Sequence, residues 1–315
     1  MAKNLHNTLL LVCMKIHNTQ YIDFKIMKKG LVIKKIANKF TVKSEDCIFI
    51  CSSKGTLKNF GIFVGDNVEF DENTMQITKV SERKNVLIRP PLANLEQMII
   101  VFAPVPKPDY LLIDKLILFC FINGIEPVVC LNKSDICSDE FINEAKRAYE
   151  NIVPLLIVSA KNGDIENLKN RLSGKLSAFA GQSAVGKSNL SKILFPDENI
   201  KIGELSKIER GKNTTRHCEI FEAFGGYLAD TPGFTALSET LLDISASELS
   251  SYYPDFLKFM PECKFRSCSH ITENDCAIKV AVNQGKIDKL RYERYKVIYE
   301  NLKKEKSYGK NSTFN

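Results

Sequence analysis

The rhythm of hydrophobic and polar positions changes twice along the chain. Between residues 30 and 89, short alternating or β-branched runs recur at 31–36, 47–51, 67–70 and 75–80. Turn formers separate them: Ser52-Ser53-Lys54-Gly55, Gly65-Asp66 and Asp71-Glu72-Asn73. Period-two runs this short and close predict a small all-β sandwich or barrel. From residue 95, strands and helices alternate. Continuous apolar runs at 97–103 and 126–131 predict strands buried on both faces, with a helix over 109–121 between them. A strand at 155–158, a helix at 165–172, a strand at 177–180 and a helix at 188–194 continue the pattern, which is that of a parallel, doubly wound α/β sheet. Residues 218–224 and 227–229 predict a hairpin turned at Gly225-Gly226. Beyond about residue 240 the chain is mainly helical and ends in a charged helix over 286–306.

Length and composition narrow the class. The 315 residues suit two or three domains, at roughly 100 to 200 residues each. The 44% hydrophobic and 26% charged residues exclude a largely disordered or collagen-like chain. No apolar run approaches the roughly 18 residues of a membrane span, so a membrane partner is not expected. Net charge is 44 − 37 = +7, which permits an anionic partner such as nucleic acid. The β segment holds many of the cations: Lys28, Lys29, Lys34, Lys35, Lys39, Lys43, Lys54 and Lys58. A basic barrel fits nucleic acid, and a merely solvated face fits the composition equally.

The expected division is an N-terminal extension over 1–27, a β-barrel over 28–90 closed by Pro90-Pro91, an α/β domain over 91–240, and a helical domain over 241–315. Residues 9–14 (LLLVCM) make too short an apolar stretch for a signal peptide. Met27-Lys28-Lys29-Gly30 opens a good strand, so residues 1–26 read as an over-long translation start. Seven of the ten cysteines are scattered, mostly in apolar runs, and are expected to be buried and inert. A chain of this length needs no disulfides, which points to a reducing, cytoplasmic compartment.

Gly181-Gln182-Ser183-Ala184-Val185-Gly186-Lys187-Ser188 satisfies G-x-x-x-x-G-K-S between a predicted strand and a predicted helix. Its amides and the helix N-terminus can wrap phosphates, with Asn189 following in the first turn. Lys187 would reach the β- and γ-phosphates, and the Ser188 hydroxyl would ligate Mg²⁺. Asn132-Lys133-Ser134-Asp135, at the end of a buried strand, matches N-K-x-D. The Asp135 carboxylate can accept from N1–H and the N2 amine of guanine, a donor pair that adenine lacks. Asn132 would orient the loop, and Lys133 would lie along the base. Ser159-Ala160-Lys161 follows another strand, and its Ala160 N–H could meet guanine O6. These loops together predict GTP as the substrate.

Asp230-Thr231-Pro232-Gly233 matches D-x-x-G, with Asp230 on Mg²⁺ through water and the Gly233 N–H facing the γ-phosphate. Upstream, Thr215 or Thr214 could complete the Mg²⁺ shell, Thr215 being slightly favoured. The motif order is guanine loops, P-loop, threonine loop, then D-x-x-G, so the GTPase is circularly permuted. Phe234 stands where many GTPases place a water-orienting glutamine, which predicts slow intrinsic hydrolysis. His217 and Glu219 are nearby substitutes for that group, and neither is assigned.

Cys263-x₄-Cys268-x-His270-x₅-Cys276 offers three thiolates and one imidazole, a set suited to a closed structural zinc site. Free cysteines or a redox pair are the alternatives. On the terminal helix, Ile287, Leu290, Tyr295, Ile298 and Leu302 form a stripe expected to pack on this knuckle. Lys286, Lys289, Arg291, Arg294, Lys296, Lys303, Lys304 and Lys306 are expected around it, with RNA contact as one use.

Together these residues resemble the bacterial RsgA (YjeQ) family, small-ribosomal-subunit-dependent GTPases. The resemblance spans about residues 28–300. It rests on GQSAVGKS, NKSD, GKNTTRH and DTPGF in permuted order, on the cysteine–histidine spacing beside Phe265, and on the stretch from Arg83 to Pro90 with Ala93-Asn94. It implies an OB-fold barrel, a permuted GTPase and a zinc domain, acting as a monomer on 16S rRNA late in assembly of the 30S subunit. Hydrolysis of GTP to GDP would release it. Two positions depart from the family: Ala184 stands where glycine is usual, and Asn213 where histidine is frequent. A competing reading is a GTP-sensing regulator that binds a protein and no RNA. An ATPase or metabolic kinase using the same P-loop is disfavoured by Asp135.

Overall fold

A computed structural model describes residues 26–57, 61–88, 90–195, 218–230 and 242–309. Five strands, β1 (Met27–Ile36), β2 (Lys39–Ser44), β3 (Cys47–Ser53), β4 (Asn67–Asp71) and β5 (Gln76–Val80), pair in the order β1-β2-β3-β5-β4. A further β1–β4 pairing closes them into the OB-like barrel. Val32, Phe40, Val42, Val68, Phe70 and Ile77 fill it. Each such apolar side chain contributes about 1.5–3 kcal/mol on burial. Strand β2 is not among the expected strands, because its alternation Lys-Phe-Thr-Val-Lys-Ser reads as a basic stretch. Its Phe40 and Val42 nevertheless point inward. The two prolines at 90 and 91 do more than interrupt the chain: Pro91 starts β7 (Pro91–Ala93), which pairs with β6 (Val86–Ile88).

The α/β part is built on β8 (Gln97–Phe102), β9 (Glu126–Leu131), β10 (Leu155–Ile157), β11 (Leu176–Ala180), β12 (Glu219–Ala223) and β13 (Gly226–Asp230). Their order is β10-β9-β8-β11-β13-β12, and every pair is parallel except the β12–β13 hairpin. Phe224 and Gly225 both take positive φ in the turn of that hairpin. All residues of β8 and β11 are buried, as strands covered on both faces require, and the two polar ones, Gln97 and Ser177, are hydrogen-bonded to each other. The helices are α1 (Tyr110–Ile122), capped by Asp109, α2 (Asp139–Tyr149), capped by Ser138, α3 (Glu166–Leu172) and α4 (Lys187–Leu194). Helix α2 is not among the expected elements, its mean hydropathy being low; Ala145, Ala148 and Tyr149 make its buried face. Edge strand β12 meets barrel strand β1 at Glu219 opposite Lys34. Lys34–Glu219 and Lys43–Glu222 ion pairs reinforce this seam.

The C-terminal part contains α5 (Pro254–Leu257), α6 (Ala277–Asn283) and α7 (Lys289–Gly309). Its core is continuous with that around α1, through Tyr253, Phe256, Ile287, Tyr295, Ile298 and Leu302. Two expectations for α7 are corrected. Leu290 is exposed and lies off the buried stripe, where Tyr292 is buried instead. Arg291 is not on a basic surface: it is 1% exposed and ion-paired to Asp114 of α1 and Asp255 of α5. Arg294 joins the same Asp114.

Candidate functional site

The carboxyl ends of β8, β9, β10, β11 and β13 open on one edge of the sheet, where α/β folds place their ligands. The loop from β11 to α4 is Gly181 to Gly186. Gly181 has φ +118 and packs so close to the Val101 carbonyl that a Cβ would collide with it. Gly186 has φ +100, and a Cβ there would strike the Asn132 amide. Ala184 also takes the left-handed conformation, at φ +65. Ser183, Ala184, Ser188 and Asn189 are exposed or half-buried along the loop and first turn, while Val185 is buried beneath. Lys187 Nζ donates to the carbonyls of Gly181 and Gln182, each at 2.6 Å. Burial pulls its pKa down to about 8.

Asn132 joins the three loops at the base of the site. Its Nδ2 donates to the Val185 carbonyl at 2.9 Å, and its Oδ1 accepts from the Ala160 N–H at 3.1 Å. The Ala160 amide expected to face a guanine O6 is therefore engaged by Asn132 in this structure. Lys133, at φ +63, reaches across to the carbonyls of Val105 (2.7 Å) and Ala184 (3.0 Å). The Ser134 N–H donates to the Val158 carbonyl, seating the loop on the strand ends. Asp135 Oδ1 accepts from Ser159 Oγ at 2.6 Å, and the Lys161 ammonium lies 3.8 Å from Oδ2. The Ser159 hydrogen bond chiefly holds this carboxyl below its ordinary pKa, so it stays ionised.

A cavity of about 540 Å³ lies above these groups, lined by Asn132, Lys133, Asp135, Ala160, Lys161 and Asn189, together with Ile136, Lys192 and Ile193. The last three were missed by sequence reasoning. Ile136 merely comes after a motif, and Lys192 and Ile193 come close only through the packing of α4. The cavity therefore offers apolar walls for a planar base and an ionised acceptor at one end.

Asp230 ends β13, which runs parallel to β11 with Ala229 opposite Ala178, so it sits beside the phosphate-type loop. Gln182 Oε1 accepts from the Asp109 N–H at 3.3 Å, linking that loop to the start of α1. Thr214, Thr215, His217, Gly233 and Phe234 lie outside the described residues.

The second cluster gathers Cys263, Cys268, His270 and Cys276, whose ligand atoms all lie within 4.8 Å of one another. His270 Nδ1 is 3.6 Å from Cys263 Sγ and 3.4 Å from Cys276 Sγ. A tetrahedral zinc, with bonds of about 2.3 Å to sulfur and about 2.0 Å to nitrogen, requires sulfur–nitrogen separations of about 3.5 Å. The residues thus fit zinc. Without a cation, burial pushes the Cys268 thiol up to about 12 and lowers the His270 pKa, and a bound divalent ion reverses the thiol preference. Metal would be held by these four residues as a structural centre with no open position.

Among the described residues no helix is long and apolar enough to cross a membrane. The profile of the RsgA GTPase family matches residues 80–240. A protein of Geobacillus sp. (strain WCH70) named small ribosomal subunit biogenesis GTPase RsgA is 40% identical over 295 residues, 89% of this chain and 99% of that protein. One of the same name from Caldanaerobacter subterraneus subsp. tengcongensis is 41% identical, covering 90% of this chain and 99% of that protein. Among solved structures, YjeQ from Thermotoga maritima aligns with a TM-score of 0.76 at 33% identity, over 88% of this chain and 99% of that one. YloQ, described as a circularly permuted GTPase, aligns with a TM-score of 0.76 at 30% identity, over 91% and 99%. The permuted order of the loops, the barrel before them and the cysteine–histidine cluster after them are thus accounted for together, and the chain belongs to the RsgA GTPase family, whose members hydrolyse GTP.

Proposed function

We propose that this GTPase acts in biogenesis of the small ribosomal subunit, in the cytoplasm and as a monomer, binding 16S rRNA of the 30S particle and leaving it when GTP becomes GDP. The observation that carries the nucleotide part is Asn132, which fastens the P-loop and the Ser159–Lys161 loop to one strand end, with the ionised Asp135 in the same cavity. The ribosomal part is supported by the curated relatives, whose names assign them to that assembly.

In this reading Gly181 through Asn189 cradle the phosphates, and the Lys187 ammonium leaves its two carbonyls for the β- and γ-oxygens. Ser188 and Thr215 would ligate Mg²⁺, with Thr214 as the alternative. Asp230 would hold the ion through water, and Gly233 would sense the γ-phosphate. Asn132, Lys133, Ser134, Asp135, Ser159 and Ala160 form the guanine side. Phe234 supplies no group to orient water, so the subunit completes the hydrolytic arrangement. Cys263, Cys268, His270 and Cys276 hold one structural zinc.

One observation favours the second reading, a GTP-sensing regulator with a protein partner. Four of the described barrel lysines are ion-paired, Lys28 to Glu72, Lys34 to Glu219, Lys43 to Glu222 and Lys79 to Glu69, which reduces the charge offered to RNA. GTP hydrolysis measured with and without purified 30S subunits tests the proposal. Turnover should rise on the order of tenfold or more with subunits, as when a missing catalytic group arrives in trans. Equal rates would refute the subunit-triggered reading, and salt-insensitive or absent rRNA binding would favour the regulator.

A further inference from the structure

Glu273 lies in the five-residue loop between the metal-site residues His270 and Cys276, and carries no donor atom of that cluster. Its carboxylate is nonetheless turned back onto the segment that carries Cys268 and His270. Oε1 accepts from the Ser269 N–H and from Ser269 Oγ, both at 2.8 Å. Oε2 accepts from the Ile271 N–H at 3.2 Å and lies 2.9 Å from the same Ser269 hydroxyl. The amides on either side of His270 are thus gathered onto one carboxylate. The carbonyls of the same segment are held from the other side by α7: Tyr292 OH donates to the His270 carbonyl at 2.6 Å, and Tyr295 OH to the Ser269 carbonyl at 2.8 Å. The Lys279 ammonium, from α6, donates to the Glu273 carbonyl at 2.8 Å and fixes the far end.

His270 needs such a hold. It is a non-glycine residue at φ +61, 2% exposed, a conformation that persists only where its surroundings over-determine it. Released from Glu273, the segment would relax toward ordinary backbone angles and carry the imidazole away from the three sulfurs. We infer that Glu273 is the positioning residue of the metal site, a carboxylate that fixes the backbone around His270 so that its Nδ1 meets the sulfurs of Cys263 and Cys276. Burial alone would raise the pKa of this carboxyl, but the converging amides outweigh it and bring the value to about 2, so the acceptor persists throughout the working pH range.

This inference rests on the reading of the cluster as a zinc site, and the experiment separates the two. Zinc alone is titrated into the metal-stripped full-length protein against a chromophoric chelator, and zinc release from the loaded protein is followed in parallel. Variants are Glu273→Ala, Glu273→Gln and, as a control, Glu262→Gln, an exposed carboxylate beside Cys263. Loss of an outer-shell partner of this kind weakens metal binding about 10- to 100-fold. Glu273→Ala should therefore bind zinc at least about tenfold more weakly and release it faster, and Glu273→Gln should fall between it and the parent. Glu262→Gln should match the parent, and GTP affinity should be unchanged in all three. Parent-like zinc affinity in Glu273→Ala overturns the inference. So does an equal loss of GTP affinity, which would mark a general folding defect. A parent protein that binds no zinc overturns the metal reading itself, and the inference with it.

Discussion

Asp114 offers the sharpest test of how the C-terminal part is attached. It is fully buried in α1, and its two oxygens meet Arg291 Nη1 at 2.8 Å and Arg294 Nε at 2.5 Å. Arg291 also reaches Asp255 at 3.2 Å, so two carboxylates and two guanidinium groups make a node of net charge 2 − 2 = 0. Asp114→Asn preserves volume and one acceptor but leaves the node at +1 inside the protein. Breaking a buried pair by removing one partner costs about 3–5 kcal/mol, and the retained acceptor places this variant near about 3. At about 2–4 °C per kcal/mol for a unit of this size, the melting temperature should fall by about 6–12 °C. Circular dichroism melts of the metal-loaded protein measure it. Adding Arg294→Met restores neutrality and should recover at least half of the loss, which a packing defect would not do. A fall of less than about 1 kcal/mol, the range of ordinary surface pairs, would refute the buried-charge account, as would failure of the second change to rescue.

The nucleotide site gives three further expected outcomes. Asp135→Asn turns one acceptor into a donor against the donors of guanine, so preference should shift from GTP toward xanthosine triphosphate in competition binding; unchanged preference would remove this loop from base recognition. Lys187 has its pKa drawn down to about 8 in the free protein, and phosphates require the ammonium. Its charge is therefore present well below pH 8, half lost at pH 8 and lost above it, so GTP affinity should fall about twofold between pH 7 and 8 and then more steeply, by up to about tenfold per pH unit, toward pH 9. A flat profile to pH 9 would show that the lysine is not titrating. Ala184→Gly relieves a left-handed residue worth about 1–2 kcal/mol, offset partly by the backbone freedom glycine gains on unfolding. Melting temperature should hold or rise, and a drop of more than about 2 °C would contradict the positive φ.

Legibility in the sequence divides along physical lines. Strands β8, β9 and β11 are buried on both faces, so apolar residues dominate them and they are legible without context. The loops from Asn132 to Asp135 and from Gly181 to Ser188 are legible because backbone approach and hydrogen-bond chemistry restrict their residues. Strand β2 is hidden because a half-exposed strand shows lysines as prominently as Phe40 and Val42. Helix α2 is hidden because its buried face is built from Ala145, Ala148 and Tyr149 rather than a broad apolar stripe. Arg291 misleads for a deeper reason. A cation on a charged helix looks solvated unless its partner is known, and the partner lies 177 residues away in the chain. Lys192 and Ile193 carry no motif, and only the approach of α4 to the 132–136 loop makes them walls of the cavity.

The permuted order leaves the geometry of the nucleotide site intact, because strand order in space, not in sequence, sets which loops meet. Its consequence lies in the chain beyond Asp230. That strand end faces the P-loop edge, and the chain continuing from it becomes the segment whose helix α7 is anchored on α1 by Asp114. Helix α1 is itself tied to the P-loop, through the Asp109 amide on Gln182. The C-terminal part therefore meets the nucleotide site by two routes, the covalent one after Asp230 and the packed one through α1. A rigid attachment at the second route would turn any rearrangement at the first into strain across the seam rather than free motion of the metal-binding end. If 30S subunits stimulate turnover as proposed, the Asp114→Asn variant, by loosening the seam, should lower that stimulation while leaving turnover of the isolated protein unchanged. Stimulation equal to that of the parent would show that the covalent route alone suffices.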